Sequence, residues 1–183
     1  MRALTQLAAF ALAALPLAAS PAHAALGAGA SAPNFSTKAA MAGKTFDFSL
    51  ARQLKKGPVV LYFFPAAFTP GCTVEANQFA EATPEFRKLG ATVIGMSADP
   101  VETLAKFSTS ECRSKFAVAA ATPATVAAYD VKLALTSRTT RTSYLIAPSG
   151  KILYVWSAMD YREHVPNLMK ALKDWRAAGG KAR

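Results

Sequence analysis

The sequence is poor in the residues that build metal centres and disulfide scaffolds. Two cysteines stand in 183 residues, too few for a disulfide-dense domain or a four-cysteine metal or iron–sulfur cage. Two histidines exclude a three-histidine catalytic zinc site. No metal-ligand cluster, Gly-rich phosphate loop or Ser–His–acid set is legible, so neither a metal nor a cofactor is expected. Acids are scarce as well: 11 against 21 lysines and arginines, a formal charge of +10. Such a balance suits nucleic acid or an anionic membrane. The basic residues are scattered, however, with no run that interleaves aromatics. Lys170, Lys173, Arg176, Lys181 and Arg183 read as a solvated helix face and tail. Neither nucleic acid nor, after processing, a membrane is expected as a partner.

What is present is apolar. Hydrophobic residues make up 52% and charged ones 17%, which excludes a disordered chain. The length suits one domain that folds without staples. Part of the apolar content lies at one end, since the first 30 residues hold 13 alanines and no acid. Arg2 precedes an uncharged Ala/Leu run from Leu4 to Leu17. Pro16 and Pro21 then break it, before Ala22-His23-Ala24. This is the three-part pattern of a signal peptide. Residues 1–24 are therefore expected to be the signal and 25–183 the mature single domain. A retained anchor or a buried helix fits less well, because the run is short for a span of about 20 residues. No cysteine at the cleavage site offers a lipid anchor.

Beyond a Gly/Ala/Ser-rich linker over 25–32, strands and helices alternate. Ala42-Gly43-Lys44 is a turn between short extended pieces. Val59 to Phe64 is an unbroken β-rich apolar run, as in a strand buried on both faces. After a turn carrying Pro65, Pro70 and Gly71, helical spacing begins at Cys72, with Ala76, Phe79, Thr83, Phe86 and Leu89. Pro84 is expected to kink or break that helix, and Gly90 to end it. Ala91–Ser97 is a second strand. Asp99-Pro100-Val101-Glu102 reads as an N-cap and first turn of a helix carrying Leu104, Phe107 and Cys112. Phe116–Ala120 is a short strand, and Thr122-Pro123 opens a small helix to about Tyr129. Thr142–Ile146 and Lys151–Val155 form a hairpin across Ala147-Pro148-Ser149-Gly150. A last helix has Val165, Leu168, Met169, Leu172 and Trp175 on one stripe. The pattern is α/β, a mixed central sheet flanked by helices.

Cys72 stands where a turn gives way to a helix. Unpaired N–H groups and the positive end of the helix dipole favour a thiolate there, and the thiolate is the nucleophile. The other reading of such a cysteine is a small buried hydrophobe. Position alone leaves both open.

The neighbours decide between them. Pro65-Ala66-Ala67-Phe68-Thr69-Pro70-Gly71-Cys72 reads Pro-x-x-x-Thr-x-x-Cys, which resembles the active-site motif of peroxiredoxins. The longer string from Tyr62-Phe63-Phe64-Pro65 to Thr73-Val74-Glu75-Ala76 is similar to the Q-type, or bacterioferritin-comigratory, branch. So are Ala32-Pro33-Asn34-Phe35, Gly95-Met96-Ser97-Ala98-Asp99 and the stretch from Arg141 to Ile152, in the same order over about 120 residues, and independent levels agree. The resemblance implies a thioredoxin-like fold and a thiol peroxidase with Cys72 as nucleophile. It implies Thr69 and the Cys72 N–H as donors, Arg141 as the charge beside the thiolate, and Pro65 as a wall against water. Arg138 ranks second to Arg141, which alone has the matching Arg-x-Ser-aromatic context. Glu75 is expected to support the helix dipole or to position an arginine. The substrate would be a hydroperoxide, the reductant a thioredoxin-like protein or small thiol, the assembly a monomer or weak homodimer. Signal and family together point to a Gram-negative periplasm.

The chain also departs from that branch. Many Q-type proteins carry a resolving cysteine five residues after the first, where this chain has Asn77. Others resolve from the later helix, at a position near Ser108. Cys112 is the candidate resolving cysteine here. The alternative is a core thiol, with resolution by an outside partner. His164 is expected to cap the last helix or face solvent, and Trp156 and Trp175 to lie in the core or at its rim. Two other functions stay in view. A thiol–disulfide oxidoreductase needs Cys-x-x-Cys, and Cys72-Thr73-Val74-Glu75 lacks the second thiol. An exported binding or holdase module would not need Thr69, Cys72 and Arg141 together.

Overall fold

The computed structural model describes residues 25–181. The signal-peptide reading of residues 1–24 lies outside the described residues. Alternation of strand and helix gives β1 (Ser36–Met41), β2 (Lys44–Ser49), α1 (Leu50–Leu54), β3 (Val59–Phe63), α2 (Pro70–Lys88), β4 (Thr92–Ser97), α3 (Val101–Ser110), β5 (Ala117–Ala120), α4 (Pro123–Ala128), β6 (Thr142–Ile146), β7 (Ile152–Ser157) and α5 (His164–Ala177). The strands form one mixed sheet in the order β2-β1-β5-β4-β3-β6-β7. β3 is interior. It runs parallel to β4 and antiparallel to β6, with Phe63 opposite Thr142.

Period-two alternation sorts β3 between two cores. Val59, Leu61 and Phe63 join Leu50, Leu54, Val126 and Tyr129 on the α1/α4 face. Val60, Tyr62 and Phe64 join Phe79, Phe107, Leu168 and Leu172 on the α2/α3/α5 face. The second face holds both cysteines. Its centre is aromatic: Tyr62 stacks on Phe79 with ring centroids 4.0 Å apart.

Four expectations need correcting. The stretch 25–32 is no free linker. Gly29 and Ala32 donate to the carbonyls of Ile152 and Gly150, and Ile152 donates to that of Ala30, so it pairs with the hairpin. Pro84 does not end α2, which continues to Lys88, while Thr83 Oγ1 donates to the Phe79 carbonyl at 2.7 Å. Asp99 does not cap α3; Pro100 holds that position with no side-chain cap. Cys112 lies beyond the end of α3, not on it. Its N–H still donates to the Phe107 carbonyl, and the next two residues, Arg113 and Ser114, have φ of 49° and 54°.

The Tyr62 hydroxyl is buried and finds no hydrogen-bond partner among the described residues, an arrangement that costs about 1–3 kcal/mol. Tyr62→Phe keeps the stacked ring and removes the orphan group. Urea unfolding of that variant should show unchanged or increased stability, whereas Phe79→Ala, which removes the stacking partner, should lose about 3–5 kcal/mol. A Tyr62→Phe loss comparable to that of Phe79→Ala would contradict this account of the core.

Candidate active site

The loop after β3 is fastened from three directions. Phe64 N–H donates to the Met96 carbonyl, and the Phe64 carbonyl accepts from Thr139 Oγ1 at 2.8 Å. The Asp99 carboxylate accepts from the Ala67 N–H at 2.7 Å and from the Ser97 hydroxyl. Thus Asp99, expected as a helix cap, instead pins the loop that leads to Cys72. Phe68 takes φ of 63° and lays its half-exposed ring edge-on against Phe107. Thr69 is the N-cap residue of α2 in extended conformation, and Pro70 supplies a pre-set first position. The Thr69 hydroxyl donates to the Ala66 carbonyl at 3.0 Å rather than to the helix. Pro65 is half-buried at the strand exit.

Cys72 is the third residue of α2, one turn into the set of N–H groups that have no intrahelical acceptor. It is 2% exposed. Arg141, the residue before β6, reaches it from the neighbouring strand, and Nη2 donates to Sγ at 3.6 Å. The rest of the guanidinium is also occupied. Nη1 donates to Glu75 Oε2, and Nε to the Met159 carbonyl at 3.0 Å. A Cβ at position 71 would lie 3.3 Å from Nη2, so Gly71 leaves the arginine its room. Arg138 is exposed on the preceding loop.

Glu75 is fully buried. Because α2 starts at Pro70, Glu75 falls in its second turn, too far along to support the dipole; it positions the arginine. Burial pushes its carboxyl up, to about 8, against the opposing pull of Arg141. Burial works against the charge on Arg141, yet Glu75 and the Cys72 sulfur outweigh it and hold the guanidinium above its ordinary value.

Cys112 shares the apolar cluster of Cys72 but makes none of these contacts. It is fully buried, and burial, with help from Glu111, pushes its thiol well above the usual range. Ser108, one turn earlier, is also buried; its hydroxyl donates to the Ala105 carbonyl and accepts from the Gly43 N–H. Asn77 donates to the Thr73 carbonyl within α2.

The AhpC/TSA family model matches residues 28–155. Peroxiredoxin Bcp of Xanthomonas campestris is 31% identical over 123 residues, covering 63% of this chain and 76% of that protein. Peroxiredoxin Bcp of Bacillus subtilis is 31% identical over 122 residues, covering 63% and 78%. The chain is a peroxiredoxin of the AhpC/TSA family. The crystal structure of peroxidoxin BcpB from Mycobacterium tuberculosis superposes with a TM-score of 0.73 at 30% identity, over 81% of this chain and 97% of that one. Membership makes this peroxiredoxin a thiol-dependent peroxidase of thioredoxin-like fold.

His164 was also misread from sequence. His164 neither caps α5 nor faces solvent; it is fully buried beneath the Arg141–Glu75 pair. Nδ1 lies 2.7 Å from Ser143 Oγ and 3.8 Å from Glu75 Oε1, and Nε2 lies 2.9 Å from the Ala158 carbonyl. A lone histidine at a helix start carries no sequence signal for this. The one available hint is that Arg141 and Ser143 fall on the same face of β6, with α5 covering it.

Burial lowers His164 from its ordinary 6.5 to about 4. Between those values the unfolded chain binds a proton that the folded one refuses. Stability is therefore lost as pH falls from about 6.5 to about 4, by up to about 3 kcal/mol. Glu75, raised by burial, acts with opposite sign over part of that window, so the histidine is isolated by difference. Denaturation of wild type and His164→Gln at a series of pH values should show the wild type losing its advantage on acidification; a constant difference would refute the assignment.

Proposed function

We propose that this peroxiredoxin is exported and reduces hydrogen peroxide and organic hydroperoxides in the cell envelope through a sulfenic acid on Cys72. The observation that carries this reading is the Arg141 Nη2 donor held 3.6 Å from Cys72 Sγ by a buried carboxylate. The Cys72 thiolate attacks the terminal oxygen of the hydroperoxide. An S–O bond forms and the O–O bond breaks. The sulfur is oxidised by two electrons to the sulfenic acid, and the leaving oxygen takes up a proton to depart as water or an alcohol. Negative charge shifts from sulfur to that leaving oxygen. Arg141 and the N–H groups of the first turn of α2 are fixed donors for it. Thr69 spends its own hydrogen on Ala66, so its oxygen lone pairs are what it offers, to the O–H of the incoming peroxide. Pro65 closes the strand side of the loop.

The cycle needs two further electrons from thiols. We propose that these come from outside, from a thioredoxin-like protein or a small thiol, with Cys112 serving as a core thiol. A resolving cysteine attacks as thiolate, and burial of Cys112 opposes that form. A binding module is disfavoured for a separate reason: a buried arginine–glutamate pair costs several kcal/mol per ion to desolvate, and a holdase has no use for it. Export rests on the sequence of residues 1–24 and is tested by N-terminal sequencing of the protein recovered from the envelope, which should begin near Ala25.

Cys72→Ser should abolish peroxide consumption while leaving the fold intact, since a hydroxyl is not ionised near neutrality. Arg141→Ala should lower the rate of the peroxide step roughly 10²–10³-fold, the usual effect of losing one preorganised donor. Stopped-flow measurement with hydrogen peroxide checks both, and residual wild-type turnover in Cys72→Ser would overturn the mechanism.

Intact mass after one equivalent of peroxide separates the two fates of the sulfenic acid. Gain of one oxygen is expected for the wild type, and Cys112→Ala should turn over normally with an external thiol. Loss of two hydrogens, with a link between residues 72 and 112, would instead make Cys112 the resolving cysteine.

A further inference from the structure

The guanidinium of Arg141 is a rigid planar fork. Once two of its nitrogens are held, the third has no freedom left. Nε is held by the Met159 carbonyl and Nη1 by Glu75, which aims Nη2 at Cys72 Sγ. The side chain that contacts the residue before Met159 and also faces Glu75 is His164.

Its ring is fixed in one tautomer. A carbonyl only accepts, so Nε2, facing the Ala158 carbonyl at 2.9 Å, carries the hydrogen. Nδ1 is then the acceptor, and the Ser143 hydroxyl donates to it at 2.7 Å. Ala158 in turn donates its N–H to the Arg141 carbonyl, and the next residue is Met159. The Ala158–Met159 segment is thus fastened on one side by His164, and on the other it receives both the backbone and the side chain of Arg141. Charged groups near the ring are Glu75 from α2, Arg141 from the start of β6 and Asp160 from the loop before α5.

We propose that His164 is a positioning residue for the peroxide step: it anchors Ala158–Met159 and so sets the aim of Arg141 on the Cys72 sulfur. This rests on Cys72 being the nucleophile, but it is read on the thiol itself without turnover.

The test uses the full mature chain in a Cys112→Ala background, where Cys72 is the only thiol. His164→Gln reaches the Nε2 position and keeps a donor for Ala158. His164→Asn places its amide near Nδ1 and cannot reach that carbonyl. The readouts are thiolate absorbance near neutral pH and the rate of alkylation by iodoacetamide. Followed as a pH titration, the thiolate signal should rise in His164→Asn with its midpoint moved up by about one pH unit, a tenfold change in the protonation equilibrium, with alkylation slowed at pH values below that midpoint, and His164→Gln should restore most of the shift. The rate constant for hydrogen peroxide should follow the same order, while the KM for the reducing thiol stays unchanged. Equal values in wild type and both variants, or equal losses in both, would overturn the proposal. Should His164→Asn fail to fold, Ser143→Ala, which keeps the ring and removes the hydroxyl that holds Nδ1, is expected to show a smaller loss; wild-type values there would overturn it too. If these effects appear but Cys72→Ser still consumes peroxide, the assignment of the nucleophile falls and the positioning of the arginine stands.

Discussion

The buried pair of Arg141 and Glu75 is the constraint around which the site is arranged. Taking two charges out of water costs several kcal/mol each, and their attraction offsets that only where the remaining donors are satisfied. Arg141 meets this condition with acceptors from separate parts of the chain: Glu75 and the Cys72 sulfur on α2, and the Met159 carbonyl between β7 and α5. The sheet makes the convergence possible. β6 lies antiparallel beside β3, with Thr142 opposite Phe63. Arg141 therefore stands next to the point where the chain leaves β3 for the Cys72 loop. Removed from water, the guanidinium acts on the sulfur through a lower effective dielectric than it would at the surface.

The pair also distributes protons. Burial drives Glu75 toward its neutral form, and Arg141 pulls it toward the carboxylate. The less negative charge the carboxyl carries, the more of the arginine's field falls on the Cys72 sulfur. His164 stays neutral because burial opposes a second cation there, with Arg141 adding to the effect. A charged histidine would compete with the arginine for Glu75. The site thus contains one permanent cation and one carboxyl whose charge that cation and burial decide between them.

Much of this was legible in the sequence, for reasons that can be named. The interior strand β3 announced itself because residues buried on both faces leave an unbroken apolar run, Val59 to Phe64. Cys72 was marked by local pattern, a turn into a helix; Thr69 and Arg141 were singled out through the resemblance to the peroxiredoxin motif. Local pattern also misled. Asp99-Pro100-Val101-Glu102 has the residues of a helix cap, but the Ala67 N–H and Ser97 hydroxyl compete for the same carboxylate and hold it. The stretch 25–32 has linker composition, yet its backbone hydrogen bonds are taken up by residues 150–152, which lie some 120 positions on. His164 was beyond reach because its partners Ser143, Ala158 and Glu75 come together only in the folded chain.

Strain is spent where geometry has to be held. Phe68 sits at φ of 63°, a conformation that an aromatic residue keeps only when its surroundings over-determine it. Those surroundings are present: the Asp99 bond to Ala67 on one side, the Thr69 bond to Ala66 on the other, and Phe107 against the ring. Phe107 also stacks on Phe64, at the exit of β3. One side chain of α3 therefore braces both ends of the loop that presents Cys72. Past the end of the same helix, Arg113 and Ser114 are also at positive φ, immediately after the second cysteine. In the Cys72 loop the strain is locked by hydrogen bonds at both ends and serves a fixed target, the position of Sγ under Arg141. After Cys112 it turns the chain from α3 toward β5 and leaves the thiol buried in the core, where Glu111 also opposes its ionisation.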